Sequence, residues 1–142
     1  MKNAPLRILL IEDNPADVYL IREALKENNV ECTLHVAADG KDALEMLNRG
    51  LPGGARLDLI ILDLNLPRHD GLEILDRLRD MGKGSIPVVV LTSSDSPRDR
   101  QTAIDLGAIR YLRKPSGLEQ FLSLGLVFRD LLTPPRTASE SA

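Results

Sequence analysis

Apolar and polar positions follow two alternating rhythms along this chain. Leu6 to Ile11 is an apolar run too brief for a helix and continuous enough for a strand buried on both faces. After Glu12 and Asp13, Asn14-Pro15 supplies a cap and a first-turn proline, and Val18, Ile21 and Leu25 recur at helical spacing up to Asn28-Asn29. Val30 to Ala37 alternates through Cys32, Leu34 and Val36, which predicts a second strand closed by Asp39-Gly40. Asp39 can cap the next helix, in which Ala43, Leu44 and Leu47 repeat until Gly50 and the loop Leu51-Pro52-Gly53-Gly54. Leu57 to Leu64 predicts a third strand with Asp63 at its C-terminal end. Beyond Leu66-Pro67, Asp70 caps a helix whose Leu72, Leu75 and Leu78 share a face, ending near Gly82. Val88 to Leu91 forms a fourth strand that stops at Thr92, and Pro97 opens a helix that ends at Gly107. Ala108 to Leu112 predicts a last strand, broken by Lys114-Pro115, and Leu118 to Leu132 one closing helix.

Five strands thus alternate with five helices, and no two strands are joined by a hairpin-length turn. Parallel neighbours need crossover connections, so the pattern predicts a doubly wound α/β domain, a parallel sheet with helices on both faces. That domain is expected over residues 1–132, with 133–142, rich in Pro, Ser and Thr, as a disordered tail.

Composition narrows the function classes. At 142 residues, 43% hydrophobic and 27% charged, the chain suits one folded domain and neither a disordered nor a fibrous protein. Its longest apolar runs fall far short of the roughly 20 residues a membrane-spanning helix needs. The stretch after Met1 is charged too soon for a secretory signal, so a cytoplasmic location is expected. A single cysteine, Cys32, excludes an internal disulfide and multi-cysteine metal sites and reads as a half-buried strand residue. Net charge is −3, the aromatic fraction is 3% and there is no Trp, which argues against nucleic acid as a direct partner.

In a doubly wound sheet, ligands bind beyond the C-terminal strand ends. The residues there are Glu12 and Asp13, Asp63, Thr92 and Lys114. Carboxylates converging on one rim repel by roughly 4 kcal/mol per pair at ~4 Å and an effective dielectric near 20, so a cation is expected among them. An all-oxygen set suits Mg²⁺ rather than zinc, and His35 and His69 lie too far apart in strand order to provide a zinc pair. Any one of these polar residues could merely end a strand or cap a helix, but all of them on one edge make a constellation. A carboxylate beside a divalent cation, a hydroxyl and an ammonium can accept a phosphoryl group.

The segments Ile8-Leu-Leu-Ile-Glu-Asp-Asn14, Ile61-Leu-Asp-Leu-Asn-Leu-Pro-Arg-His-Asp-Gly71, Pro87-Val-Val-Val-Leu-Thr-Ser93 and Gly107-Ala-Ile-Arg-Tyr-Leu-Arg-Lys-Pro115 resemble the receiver domain of two-component response regulators, in order and spacing, over about residues 6–132. The resemblance implies a flavodoxin-like fold with strand order 2-1-3-4-5. It implies Asp63 as phosphoacceptor, with Glu12, Asp13, Asp63 and the backbone carbonyl of Asn65 around Mg²⁺. It further implies Thr92 and Lys114 on the phosphoryl group, Tyr111 at an aromatic switch position and a cis Lys114-Pro115 bond. The stretches Asp13 to Asp17 and Leu64 to Pro67 are similar to those of single-domain regulators paired with phytochrome-type histidine kinases. His69 stands where the family often has Met and reads first as an exposed loop residue.

The expected protein is therefore no enzyme in its own right. It is a signalling phosphoacceptor that assists its own phosphotransfer and dephosphorylation, takes phosphate from a sensor histidine kinase and switches a surface that a downstream protein reads. Apolar residues of the closing helix spread wider than one core-facing stripe, which predicts a homodimer contact. Three other readings stand beside it. A pseudo-receiver would use the fold only for docking, whereas all the acidic, hydroxyl and lysine positions are retained. An aspartyl-phosphate hydrolase would need a second Asp where Asn65 stands, and an FMN carrier would need a phosphate-cradling loop where Glu12 and Asp13 would repel it.

Overall fold

The strand and helix signals resolve into a five-stranded parallel sheet in the computed structural model, which describes residues 5–54, 56–67, 70–82 and 85–132. The strands are β1 (Leu6–Ile11), β2 (Cys32–Ala37), β3 (Leu59–Leu62), β4 (Val88–Thr92) and β5 (Arg110–Arg113), in spatial order β2-β1-β3-β4-β5. The helices are α1 (Pro15–Glu27), α2 (Gly40–Arg49), α3 (Gly71–Asp80), α4 (Pro97–Asp105), α5 (Leu118–Leu122) and α6 (Leu124–Leu132). The expected topology is the observed one.

Four helices start where capping chemistry predicts. Asn14, Asp39, Asp70 and Ser96 each accept a backbone N–H of the following turn, from Ala16, Asp42, Leu72 and Asp99 respectively. Alternate strand residues then split the core in two. Leu9, Ile11, Ile60, Leu62 and Val90 pack under α2, α3 and α4, while Ile8, Leu10, Leu59, Ile61 and Leu91 pack under α1, α5 and α6.

Three boundaries differ from expectation. β3 is shorter than the apolar run from Leu57 to Leu64, because Asp58 turns its carboxylate to the Arg7 N–H and Asn65 leaves the ladder to bridge Asp70. β5 begins two residues later than Ala108, since the Ala108 N–H closes the end of α4 on the Ala103 carbonyl. The closing helix is broken at Ser123. Asn28 Nδ2 takes the Leu122 carbonyl at 3.0 Å, so the Leu126 N–H bonds to Ser123 instead of continuing the helical ladder. The expected tail, 133–142, lies outside the described residues.

The Lys114–Pro115 bond is trans, against the cis isomer that the resemblance implied. Trans is the isomer X–Pro bonds favour by about 0.5–1 kcal/mol, and Lys114 reaches its partners without the alternative.

The break allows α6 to cross α1 at close range. A Cβ on Gly125 would run into the Ala24 carbonyl and the Asn28 amide, so only hydrogen fits there. Gly125→Ala should therefore destabilise the protein by about 1–3 kcal/mol, the usual cost of overpacking. Urea unfolding measures this, and an unchanged midpoint would contradict the close crossing.

Candidate functional site

Parallel strands bring all their C-terminal ends to one rim of the sheet, and that rim gathers the chemistry. Glu12 follows β1, Asp63 follows β3, Thr92 ends β4 and Lys114 follows β5. Glu12, Asp63 and Thr92, at 2%, 4% and 0% exposure, are the buried polar side chains among the described residues. Buried polar groups survive folding only where partners meet them, so their shared location makes the rim a site.

The centre of the rim is the Lys114 ammonium. Its Nζ donates to Glu12 Oε1 at 2.7 Å, Asp17 Oδ2 at 2.7 Å and Asp63 Oδ2 at 3.0 Å. Burial alone would lower its pKa, yet the bonds to Asp17, Glu12 and Asp63 outweigh that and hold it above the ordinary lysine range. Glu12 moves up as well, to about 7, because burial and then the neighbouring Asp63 charge work against its ionised form more than Lys114 supports it. One ammonium against three carboxylates leaves the rim electronegative.

The loop after β3 fixes the acceptor side of the site. The Asn65 N–H donates to Asp63 Oδ1 at 3.0 Å, so both carboxylate oxygens of Asp63 are oriented, one by Asn65 and one by Lys114. A Cβ on Gly71 would lie 2.6 Å from Leu64 Cα and 2.8 Å from the Asp63 carbonyl, which shows how tightly α3 clamps this loop. Thr92 Oγ1 accepts from Asn65 Nδ2 at 3.2 Å and from the Ser94 N–H at 3.4 Å. Its own proton meets no acceptor among the described residues, leaving a donor available at the rim.

Glu12, Asp13 and Asp63 each present a carboxylate oxygen within 4.8 Å of the others, with Asp13 exposed at the mouth. This all-oxygen set fits a hard divalent cation that keeps several waters. His35 lies mid-strand on β2, opposite Leu9, rather than at a strand end, so it adds no nitrogen ligand to this set. Burial pushes the Cys32 thiol up, against a smaller opposing effect of Arg22, so it is no activated nucleophile. A groove of about 350 Å³ beside Leu47, Leu57 and Ile86 lies toward the opposite end of the sheet.

Tyr111 sits where the resemblance places an aromatic switch. It is 9% exposed, its hydroxyl donates to the Ser94 carbonyl at 3.1 Å and the Arg100 guanidinium lies 5.9 Å from its ring centroid. The ring is already turned in. His69 lies outside the described residues. Sequence reasoning passed over two members of the site. Asp17 was read only as part of a motif, although an acidic residue in the first turn of a helix rising from the rim was the signal. Ser94, two residues past Thr92, links the hydroxyl to Tyr111.

The Glu12 shift has a consequence for stability. A group protonated more tightly when folded stabilises the fold at low pH, and that stabilisation disappears as pH rises from about 4.5 through about 7. The melting temperature of the metal-free wild type should thus fall relative to that of Glu12→Gln between pH 4.5 and 7. Parallel melting curves for the two proteins over that window would contradict the assignment.

Comparison with known proteins agrees with this geometry. The profile of the Response regulator receiver domain family matches residues 8–124. Response regulator MprA of Mycolicibacterium vanbaalenii is 36% identical over 138 residues, covering 97% of this chain and 56% of that protein. The chain thus spans just over half the length of such curated relatives. The crystal structure of the phosphorylated cyanobacterial phytochrome response regulator RcpA superposes with a TM-score of 0.82 at 36% identity, covering 91% of this chain and 94% of that one. The Mn²⁺-bound form of response regulator Rcp1 gives 0.82 at 34% identity, covering 94% and 100%. No helix among the described residues is long and apolar enough to cross a membrane. Rim geometry, profile and relatives agree that this chain belongs to the response regulator receiver domain family of two-component signalling.

Proposed function

We propose that Asp63 is the phosphoacceptor of this receiver domain and that a sensor histidine kinase supplies the phosphoryl group. The observation that carries the reading is the Asp63 carboxylate held between the Asn65 N–H and the Lys114 ammonium at a buried rim. In the transfer, an Asp63 oxygen forms a bond to phosphorus while the nitrogen–phosphorus bond of the kinase phosphohistidine breaks, and the pair of electrons returns to the imidazole nitrogen. Lys114 then follows the negative charge from the carboxylate to the phosphoryl oxygens, and the Thr92 hydroxyl donates to another of them. Glu12, Asp13 and Asp63 with the Asn65 backbone carbonyl would hold Mg²⁺, which when bound supplies neutralisation of phosphoryl charge.

Output follows from Thr92. Drawing its hydroxyl toward a phosphoryl group strains the Ser94 segment, and Ser94 is the partner of the Tyr111 hydroxyl. The α4–β5 surface is then biased between two packings, which a downstream protein reads. A phytochrome-type kinase is the partner favoured here, on the strength of the Asp13 to Asp17 stretch and the likeness to RcpA. Leu118 and Leu126, 60% and 44% exposed, are the closing-helix positions left in water. They support the second copy of the chain anticipated from the width of the apolar stripe.

Incubation with acetyl phosphate and Mg²⁺ should place label on the wild type and none on Asp63→Asn. Label that persists in the variant would move the acceptor elsewhere. A wild type that takes none from acetyl phosphate or from a panel of histidine kinases would favour the docking-only reading. Sedimentation should show a mass that rises with protein concentration, and a constant monomer mass with and without phosphorylation would remove the dimer.

A further inference from the structure

An ammonium has three N–H donors, and Lys114 has spent all of them: on Glu12, Asp17 and Asp63. Two of these acceptors belong to the group of carboxylates that a divalent cation would occupy, and one of those two is the residue to be phosphorylated. Both must change partners during the reaction. Asp17 stands outside that group, in the first turn of α1, with its side chain 20% exposed and its bond to Nζ as short as that of Glu12. Resting on the phosphoacceptor reading above, we infer that Asp17 is a positioning residue that keeps the Lys114 ammonium over Asp63 while Glu12 turns to the cation.

The charge arrangement explains why a third carboxylate is useful. With Asp17 ionised, the ammonium is shared, and a cation arriving at Glu12 and Asp63 displaces it only partly. Without Asp17, the ammonium has only the acidic pair to neutralise it, so it settles onto Glu12 and Asp63 and competes with the cation directly. Phosphorylation of Asp63 then begins from a lysine with no fixed point behind it. Asp17 also sits near the positive end of α1, where any carboxylate stabilises a helix, and that bland role has to be separated from the positioning one.

The experiment compares full-length wild type, Asp17→Asn and Asp17→Glu. In Asp17→Asn, the dissociation constant for Mg²⁺ alone should rise and the maximal rate constant of phosphorylation by acetyl phosphate at saturating Mg²⁺ should fall, each by about tenfold, the scale at which orienting partners act. KM for acetyl phosphate should stay unchanged, and Asp17→Glu should recover most of both losses. In metal-free protein, the Lys114 ammonium protons, followed by ¹⁵N NMR, should exchange with water faster in Asp17→Asn than in wild type. A helix-terminal role alone would lower the melting temperature and leave Mg²⁺ affinity, the phosphorylation rate constant and ammonium exchange at wild-type values, which overturns the inference. The two levels of the account fail differently: label absent from the wild type overturns the phosphoacceptor reading, whereas normal labelling with an Asp17→Asn protein that matches wild type overturns only the role of Asp17.

Discussion

One half-buried ammonium shared by three carboxylates is the interaction around which this domain is arranged. Lys114 joins the segment after β1, the first turn of α1, the end of β3 and the end of β5 through three short bonds. Burying ions costs several kcal/mol each, and mutual attraction recovers that cost only where geometry is good and the remaining valences are satisfied. Here the lysine is saturated and the carboxylates are not. Glu12 is therefore pushed toward its protonated form, and the rim stays short of positive charge. On the phosphoacceptor reading, a site built this way would accept a cation and a phosphoryl group by exchanging partners around a lysine that is already in place.

The fold makes that geometry possible by topology and refines it by packing. Parallel strands put every C-terminal end on the same rim, so residues separated by up to 102 positions in sequence become neighbours. Where α1 begins is set by Asn14, and how α1 lies is set by its close crossing with α6 at Gly125 and by Asn28, which ties Ala24 to Leu122. The position of Asp17 is thus tied to contacts at the far end of its helix. On the acceptor side, Gly71 lets α3 press against Asp63 and Leu64, which fixes the loop carrying Asn65.

Signals confined to neighbouring residues were legible in the sequence. Asn14, Asp39, Asp70 and Ser96 cap helices by contacts within a few positions, and the buried strands announce themselves as apolar runs. Alternation of the elements was enough for a doubly wound parallel sheet, the strand order came from the resemblance, and strand ends were enough for Glu12, Asp13, Asp63, Thr92 and Lys114 to be named. Features that depend on distant partners were not legible. The break at Ser123 requires an amide from Asn28, the early end of the β3 ladder requires the bridge from Asn65 to Asp70, and the role of Asp17 requires a lysine 97 positions away. The cis Lys114–Pro115 bond was carried over from a resemblance, and no contact among the described residues demands it.

The central claim is that Asp63, held at this rim, carries the phosphate. Reduction of the phosphorylated protein with borohydride converts an aspartyl phosphate to homoserine, and peptide mass mapping then reads its position. Homoserine at position 63, and at no other acidic residue, is the result expected. Homoserine elsewhere in the chain, or none in a protein shown to hold stoichiometric acid-labile phosphate, would contradict the account.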